Sequence, residues 1–192
     1  MPLLSNLSQF LSLSDLLKRM VESGGSDLHI TTNSPPRIRV HGDYHLGQVL
    51  YTGKDFVILD FEGDPGRPLS ERRLKRSPLH DIAGMLDSFY HAAHSVLFGL
   101  APGVIAKPES LVALESWAKF WSTAISNDFL AAYLAAPGIG ELLPKSPDEI
   151  RGILRIFLID LALRKLAFEL VHAPERINIP AHAIQELVQE RS

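Results

Sequence analysis

The chain has 192 residues, 46% of them hydrophobic, and a formal net charge of −3. That length holds one domain with a real core and is marginal for two, and so small a charge argues against nucleic acid or an acidic membrane surface as partner. The absence of cysteine excludes disulfides and thiolate metal sites, and nothing points to secretion.

The N-terminal run MPLLSNLSQFLSLSDLL is apolar but has no basic leader and no small-residue cleavage site. Lys18 and Arg19 follow the run, which reads as an amphipathic helix, so a cytoplasmic location is expected. No apolar run approaches the ~18–20 residues that span a bilayer. Leu16, Leu17, Met20 and Val21 fall at helical spacing in 14–23, with Gly24-Gly25 as the stop. Leu28, Ile30, Ile38 and Val40 alternate with polar residues and predict two short strands around a turn at NSPP, 33–36. A hairpin follows: VLY at 49–51, a Gly53-Lys54 turn, and FVILDF at 56–61, whose apolar run suits a buried strand.

From Ser77 the pattern is helical over about 115 residues. Ser77-Pro78 caps a helix with an apolar stripe at Leu79, Ile82, Ala83, Leu86, Phe89 and Ala93. Pro108 opens a second helix running to about Ala136, ended by Pro137-Gly138. Ser146-Pro147-Asp148-Glu149 reads as a capping box ahead of Ile150, Ile153, Leu154, Phe157, Leu158 and Leu161. A short last helix is expected at about 181–190. The fold class is α+β and mostly helical.

The chemistry sits at the hairpin. In kinase-type phosphoryl transfer the protein mainly positions groups and neutralises charge. An aspartate takes the acceptor hydroxyl's proton, an amide five residues on holds a metal, and an aspartate beyond a hairpin holds the metals. Asp43, Gln48 and Asp60 fit this plan, with His41-Gly42-Asp43 leading to Gln48 at the H-x-D-x(4)-N spacing and glutamine replacing asparagine. Glu62 adds a nearby carboxylate, and such oxygen donors suit Mg²⁺. A rival reading makes His41, Asp43 and His45 transition-metal ligands, since H-x-D-x-H places three side chains on one strand face. The plain alternative is a polar turn followed by a strand-ending aspartate.

HGDYHLGQVLYTGKDFVILDFEG, continuing through RPLSERRLKRSPLHDIAGMLDSF, resembles the maltokinases, members of the aminoglycoside-phosphotransferase and choline-kinase group. The resemblance covers 38–192 and extends through WAKFW and FLAAY to INIP. It implies the C-terminal lobe of a protein-kinase-like fold, with ATP and Mg²⁺ used to phosphorylate maltose at its anomeric hydroxyl. It makes Asp43 the catalytic base, Gln48 and Asp60 the Mg²⁺ ligands, and Glu62 an aid at metal or sugar. His41 and Asp81 stand behind them, Asp81 matching a helix aspartate that bonds the catalytic-loop backbone; otherwise it is an ordinary first-turn acid favoured by the helix dipole. Where that family shows a Glu-Lys pair in its long helix, this chain has Asp160-Leu161, with Lys165 nearby.

Only about forty residues precede the motif, too few for the nucleotide-binding lobe such kinases need, and no Walker-A run occurs. The stretch at about residues 12–43, carrying LSDLLKRMVESGGSDLHITTNSPPRIRVHGD, instead resembles the start of pilus-retraction ATPases of the PilT type, through Ser26-Asp27-Leu28-His29 and Pro35-Pro36. The expected organisation is therefore a 1–37 segment of that kind joined to a kinase-like lobe at 38–192. The competing expectation is a non-catalytic module that self-associates or recruits partners through apolar surface near the hairpin.

Three further groups complete the reading. Arg67, Arg72, Arg73, Lys75 and Arg76 read as a solvated basic face rather than a phosphate site. Trp117, Phe120, Trp121 and Tyr133, at helical spacing, read as core rather than a sugar platform. His80, His91, His94, His172 and His182 are scattered and suggest no metal site.

Overall fold

The computed structural model describes residues 28–31, 34–38, 40–100 and 111–189; the predicted helix at 14–23 and the start of the second helix at Pro108 lie outside them. Two antiparallel hairpins come first. Strands β1 (Leu28–Thr31) and β2 (Ser34–Ile38) pair Leu28 with Ile38 and Thr31 with Ser34. Pro35 and Pro36 thus lie inside β2 rather than in the turn, a placement proline tolerates only in a two-stranded or edge position. β3 (Val49–Tyr51) and β4 (Phe56–Ile58) pair Val49 with Ile58 and Tyr51 with Phe56. The turn between them is closed by Thr52, whose N–H and Oγ1 both donate to the Asp55 carbonyl, and Gly53 takes φ +91° there.

The hairpin at 49–58 has the predicted position but not the predicted burial. Leu50, Tyr51, Phe56 and Val57 are all exposed, Phe56 by 72%. Among the described residues its two strands pair only with each other, and no described layer packs on their faces.

Among the described residues the α-helices that follow are α1 (Leu69–Arg72), α2 (Leu79–Leu97), α3 (Leu111–Leu134), α4 (Pro147–His172) and α5 (Asn178–Gln189). α2 is central and touches α3, α4 and α5. The Ser77 hydroxyl accepts from the Leu79 N–H at 3.3 Å, but Pro78 is the N-cap and the helix begins at Leu79, one residue later than predicted. Leu79, Ile82 and Ala83 on α2 meet Leu143 and Leu154 in the core. Each large aliphatic side chain so buried contributes about 1.5–3 kcal/mol. At α4 the proline opens the helix as predicted, but Ser146 makes no side-chain capping bond. The last helix begins at Asn178, earlier than expected. No helix among the described residues is long and apolar enough to cross a membrane.

Two further expectations are corrected. Trp117, Phe120 and Trp121 stand 65%, 64% and 46% exposed on α3, whereas Tyr133 packs against the core. Helical spacing groups such rings on one side of a helix without saying whether another element covers that side. Arg67, expected on a solvated face, is 6% exposed. Its guanidinium lies 3.3 Å from Asp64, 3.6 Å from Glu71 and 3.5 Å from Asp160, and three carboxylates compensate its desolvation.

Candidate active site

The loop from His41 to Leu46 is held by one face of α2. Asp81 accepts from the His41 N–H at 2.7 Å through Oδ2 and from the Gly42 N–H at 2.9 Å through Oδ1. One turn on, α2 carries Gly84, where an added Cβ would lie 2.5 Å from the Tyr44 carbonyl oxygen. One turn further, the Ser88 hydroxyl accepts from the Leu46 N–H at 3.1 Å and donates to the Met85 carbonyl at 2.7 Å. Asp81, Gly84 and Ser88 fall at i, i+3 and i+7, a single stripe of the helix. Asp81 thus bonds two successive backbone amides of this loop. Gly84 and Ser88 escaped the sequence reading; the available signal was a helix-weakening glycine and a serine in register with Asp81.

The negative charge of Asp81 and burial around it act on neighbouring phenols. Burial first, and Asp81 second, hold both Tyr44 and Tyr133 above the ordinary tyrosine range. Both rings thus stay protonated at neutral pH.

His41 is 7% exposed and joins the loop to the hairpin. Its Nε2 lies 2.7 Å from the Leu59 carbonyl, and its Nδ1 is 3.3 Å from the Asp43 N–H. A carbonyl can only accept and an amide N–H only donate, which fixes the proton on Nε2. Both ring nitrogens are thus used by backbone. The His45 Nδ1 accepts from the Gly47 N–H at 3.1 Å. This arrangement overturns the His41, Asp43, His45 metal reading. The His41 ring also lies against Phe61, tilted by 42° with the ring centres 4.8 Å apart.

Asp43 is about a third exposed, its carboxylate 3.7 Å from the His45 ring. Gln48 and Asp60 meet across the hairpin, the Gln48 amide donating to Asp60 Oδ2 at 3.3 Å while the Leu59 N–H donates to the Gln48 carbonyl at 2.8 Å. Among the described residues other than glycine, Asp60 alone has a positive φ, +60°. Left-handed backbone is uncommon outside glycine and least costly for Asn and Asp, and here it turns the carboxylate out of the strand toward Gln48. Glu62 is exposed and makes no hydrogen bond to either. The two loops touch where Gly42 lies against Gly63: a Cβ on Gly42 would sit 3.4 Å from the Gly63 Cα.

Behind the loops, Asp160 receives Arg164 at 2.8 Å and Arg67 at 3.5 Å. Lys165 does not serve this group; it bonds Asp87 on α2 and lies 3.4 Å from the His91 ring.

The packing at Gly84 sets one expectation. Gly84→Ala should gain roughly 1 kcal/mol of helix propensity yet lose more by displacing the Tyr44 carbonyl, for a net loss of about 1–3 kcal/mol. Thermal unfolding measures it, and a stabilised variant would show that the loop does not depend on this close approach.

No protein-family model matches the chain. It is 27% identical over 156 residues to a glucosamine kinase of Streptacidiphilus jiangxiensis, covering 81% of this chain and 33% of that protein. It is 30% identical over 161 residues to a glucosamine kinase of Mycolicibacterium smegmatis, covering 81% and 35%. Among solved structures, a glucosamine kinase crystal form superposes with a TM-score of 0.66 at 27% identity, over 82% of this chain and 36% of that one. A glucosamine kinase in complex with glucosamine, ADP and inorganic phosphate gives 0.59 at 25% identity over the same shares. The chain spans about a third of the length of these relatives, and its homologues are sugar-phosphorylating kinases.

Proposed function

We propose that this chain carries the phosphoryl-transfer loop and metal-binding hairpin of a sugar kinase. The observation that carries the reading is the Asp81 clamp on the His41 and Gly42 amides, which fixes Asp43 while His41 ties the same loop to the strand leading to Asp60. Asp43 is the general base, taking the proton of the acceptor hydroxyl as it attacks phosphorus. Asp60 and the Gln48 amide oxygen would hold Mg²⁺, which neutralises charge on the nucleotide phosphates. The Asp60 carboxylate, with the Gln48 side chain 3.3 Å away and able to turn its amide oxygen inward, fits an ion that binds one or two protein groups and completes its shell with phosphate and water. Glu62 has no tie to that pair and aids at metal or sugar. ATP is the co-substrate, supported by the ADP-bound relative. Glucosamine, from the relatives' names, and maltose, from the motif resemblance, are the acceptor candidates.

The division at residue 38 belongs to this reading. Residues 38–192 number about as many as the 156 matched residues, and 1–37 is a separate segment of pilus-ATPase type. Sequencing one amplicon across codons 20–60 from source DNA tests the join; a kinase lobe continuous with the motif would remove it.

ADP release should be measured with glucosamine and with maltose, comparing the wild type with Asp43→Ala. A loss of 10²-fold or more is expected for a general base, and equal rates would exclude catalysis by this loop. Independently of turnover, Mn²⁺ titrated as a paramagnetic probe should broaden the signals of Gln48 and Asp60 first, and Asp60→Ala should abolish that broadening. Uniform broadening would reject the metal site.

The second reading, a non-catalytic interaction module, is favoured by the exposed Leu50, Tyr51, Phe56 and Phe61 around the hairpin. Asp43→Ala without effect, together with loss of self-association in Phe56→Ser, would select it.

A further inference from the structure

His80 is the second residue of α2 and is 5% exposed, flanked along the helix by the core residues Leu79 and Ile82. Phe157 of α4 meets its ring edge-on, with the ring centres 5.4 Å apart at 75°. Both ring nitrogens are buried, and neither hydrogen-bonds to a described residue. Packing alone would be better served by an apolar side chain, since a buried polar group without a partner carries its full desolvation cost. The ring does face a carboxylate: Nδ1 lies 3.5 Å from Asp81 Oδ1. That oxygen already accepts from the Gly42 N–H, while Oδ2 accepts from the His41 N–H. A carboxylate oxygen has two lone pairs, so Oδ1 can face a second donor and keep Gly42.

We propose that His80 is a positioning residue for the His41–Leu46 loop, its Nδ1–H holding the Asp81 carboxylate in the orientation that grips His41 and Gly42. A carboxylate can only accept, so this pairing puts the ring proton on Nδ1. Turning the Asp81 carboxylate about its own bond would break both amide contacts at once. A donor fixed on the Oδ1 side opposes that turn, and in buried surroundings its attraction is little screened. Phe157 in turn holds the imidazole in place. Orientation therefore passes from α4 through His80 and Asp81 to the loop that carries Asp43. His80 touches no reacting group and acts only through Asp81. The consequence for phosphoryl transfer rests on the sugar-kinase reading; the consequence for the loop does not.

Two variants and the unaltered chain test this. His80→Leu keeps an apolar side chain of similar size against Phe157 but removes the donor. Exchange at the His41 and Gly42 amides should then quicken by roughly tenfold, the scale of one bond to a charged group, while amides of α5 keep their wild-type rates. His80→Asn places an amide nitrogen where Nδ1 stood and should bring the loop amides back toward wild type. In the unaltered chain the ¹⁵N signals of the His80 ring should show a proton on Nδ1. If ADP release is measurable, His80→Leu should lower kcat by roughly tenfold and leave KM for the sugar within about twofold. Quickened loop exchange in a chain with no ADP release sustains the role of His80 and counts only against the kinase reading. Unchanged exchange in His80→Leu, or His80→Asn as fast as His80→Leu, would overturn the proposal. So would a ring protonated on Nε2 alone, a readout that stands even where neither variant folds.

Discussion

Replacing Asp81 by alanine should loosen the His41–Gly42 segment more than any other single change on α2. The substitution strands two part-buried backbone N–H groups that now share one carboxylate at 2.7 and 2.9 Å. Hydrogen bonds to a charged acceptor contribute about 1.5–3 kcal/mol each, and an unpaired buried donor costs about 1–3 kcal/mol, so a loss of roughly 3–5 kcal/mol is expected before water repairs part of it. Asparagine in its place retains one oxygen and turns an NH₂ toward the second N–H, so Asp81→Asn should fall between alanine and the wild type. Hydrogen exchange separates this from a general loss of stability. The His41 and Gly42 amides should lose protection in Asp81→Ala while amides of the distant helix α5 stay slow. Any phosphoryl transfer should drop in kcat by about 10²-fold, the effect of moving a catalytic group by around 1 Å. Unchanged exchange at His41 and Gly42 would mean that Asp81 does not hold the loop.

Legibility from the sequence varied with how local the controlling physics was. The hairpin at 49–58 and the starts of α2 and α4 were readable because a turn glycine and prolines act within a few residues. The approach of Gln48 to Asp60 followed from the hairpin between them. Asp81 was placed by resemblance alone; its spacing in a helix says nothing of a loop forty residues upstream. The exposure of Phe56 to Ile58 was not readable. An apolar run states that a strand is suited to cover, but not whether the chain supplies it. Arg67 failed for a related reason: its partners Asp64 and Glu71 are near in sequence, but Asp160 is ninety-three residues on. The pairing that buries the guanidinium exists only once α4 docks. Gly84 illustrates the opposite case, a helix-weakening residue whose reason, a backbone carbonyl pressed against it, is visible only in three dimensions.

The second large effect should come from Lys165, which meets Asp87 between α4 and α2. Asp87 is 6% exposed, whereas the Lys165 side chain is 36% exposed, so the two partners are not equivalent. Burial pushes the Asp87 carboxyl up, but His91 and Lys165 together outweigh it and leave Asp87 below the usual carboxylate range. Lys165→Met would remove the cation and leave the charge buried, a change that typically costs 3–5 kcal/mol. His91, 3.8 Å away, offsets part of this, so about 3 kcal/mol is expected, or roughly 6–12 °C in Tm for a chain of this size. Asp87→Asn should cost less, because the ammonium it abandons can turn to water. The pH dependence follows from the direction of the shift. A depressed folded-state pKa contributes stability that is present above the ordinary aspartate value of 3.8 and is lost as pH falls through the lower folded value. The gap between wild type and Lys165→Met should therefore be widest near neutral pH and close only as pH falls through that lower folded value, where a protonated Asp87 needs no cation. A gap independent of pH would assign the loss to the packing of the lysine stem instead of to its charge.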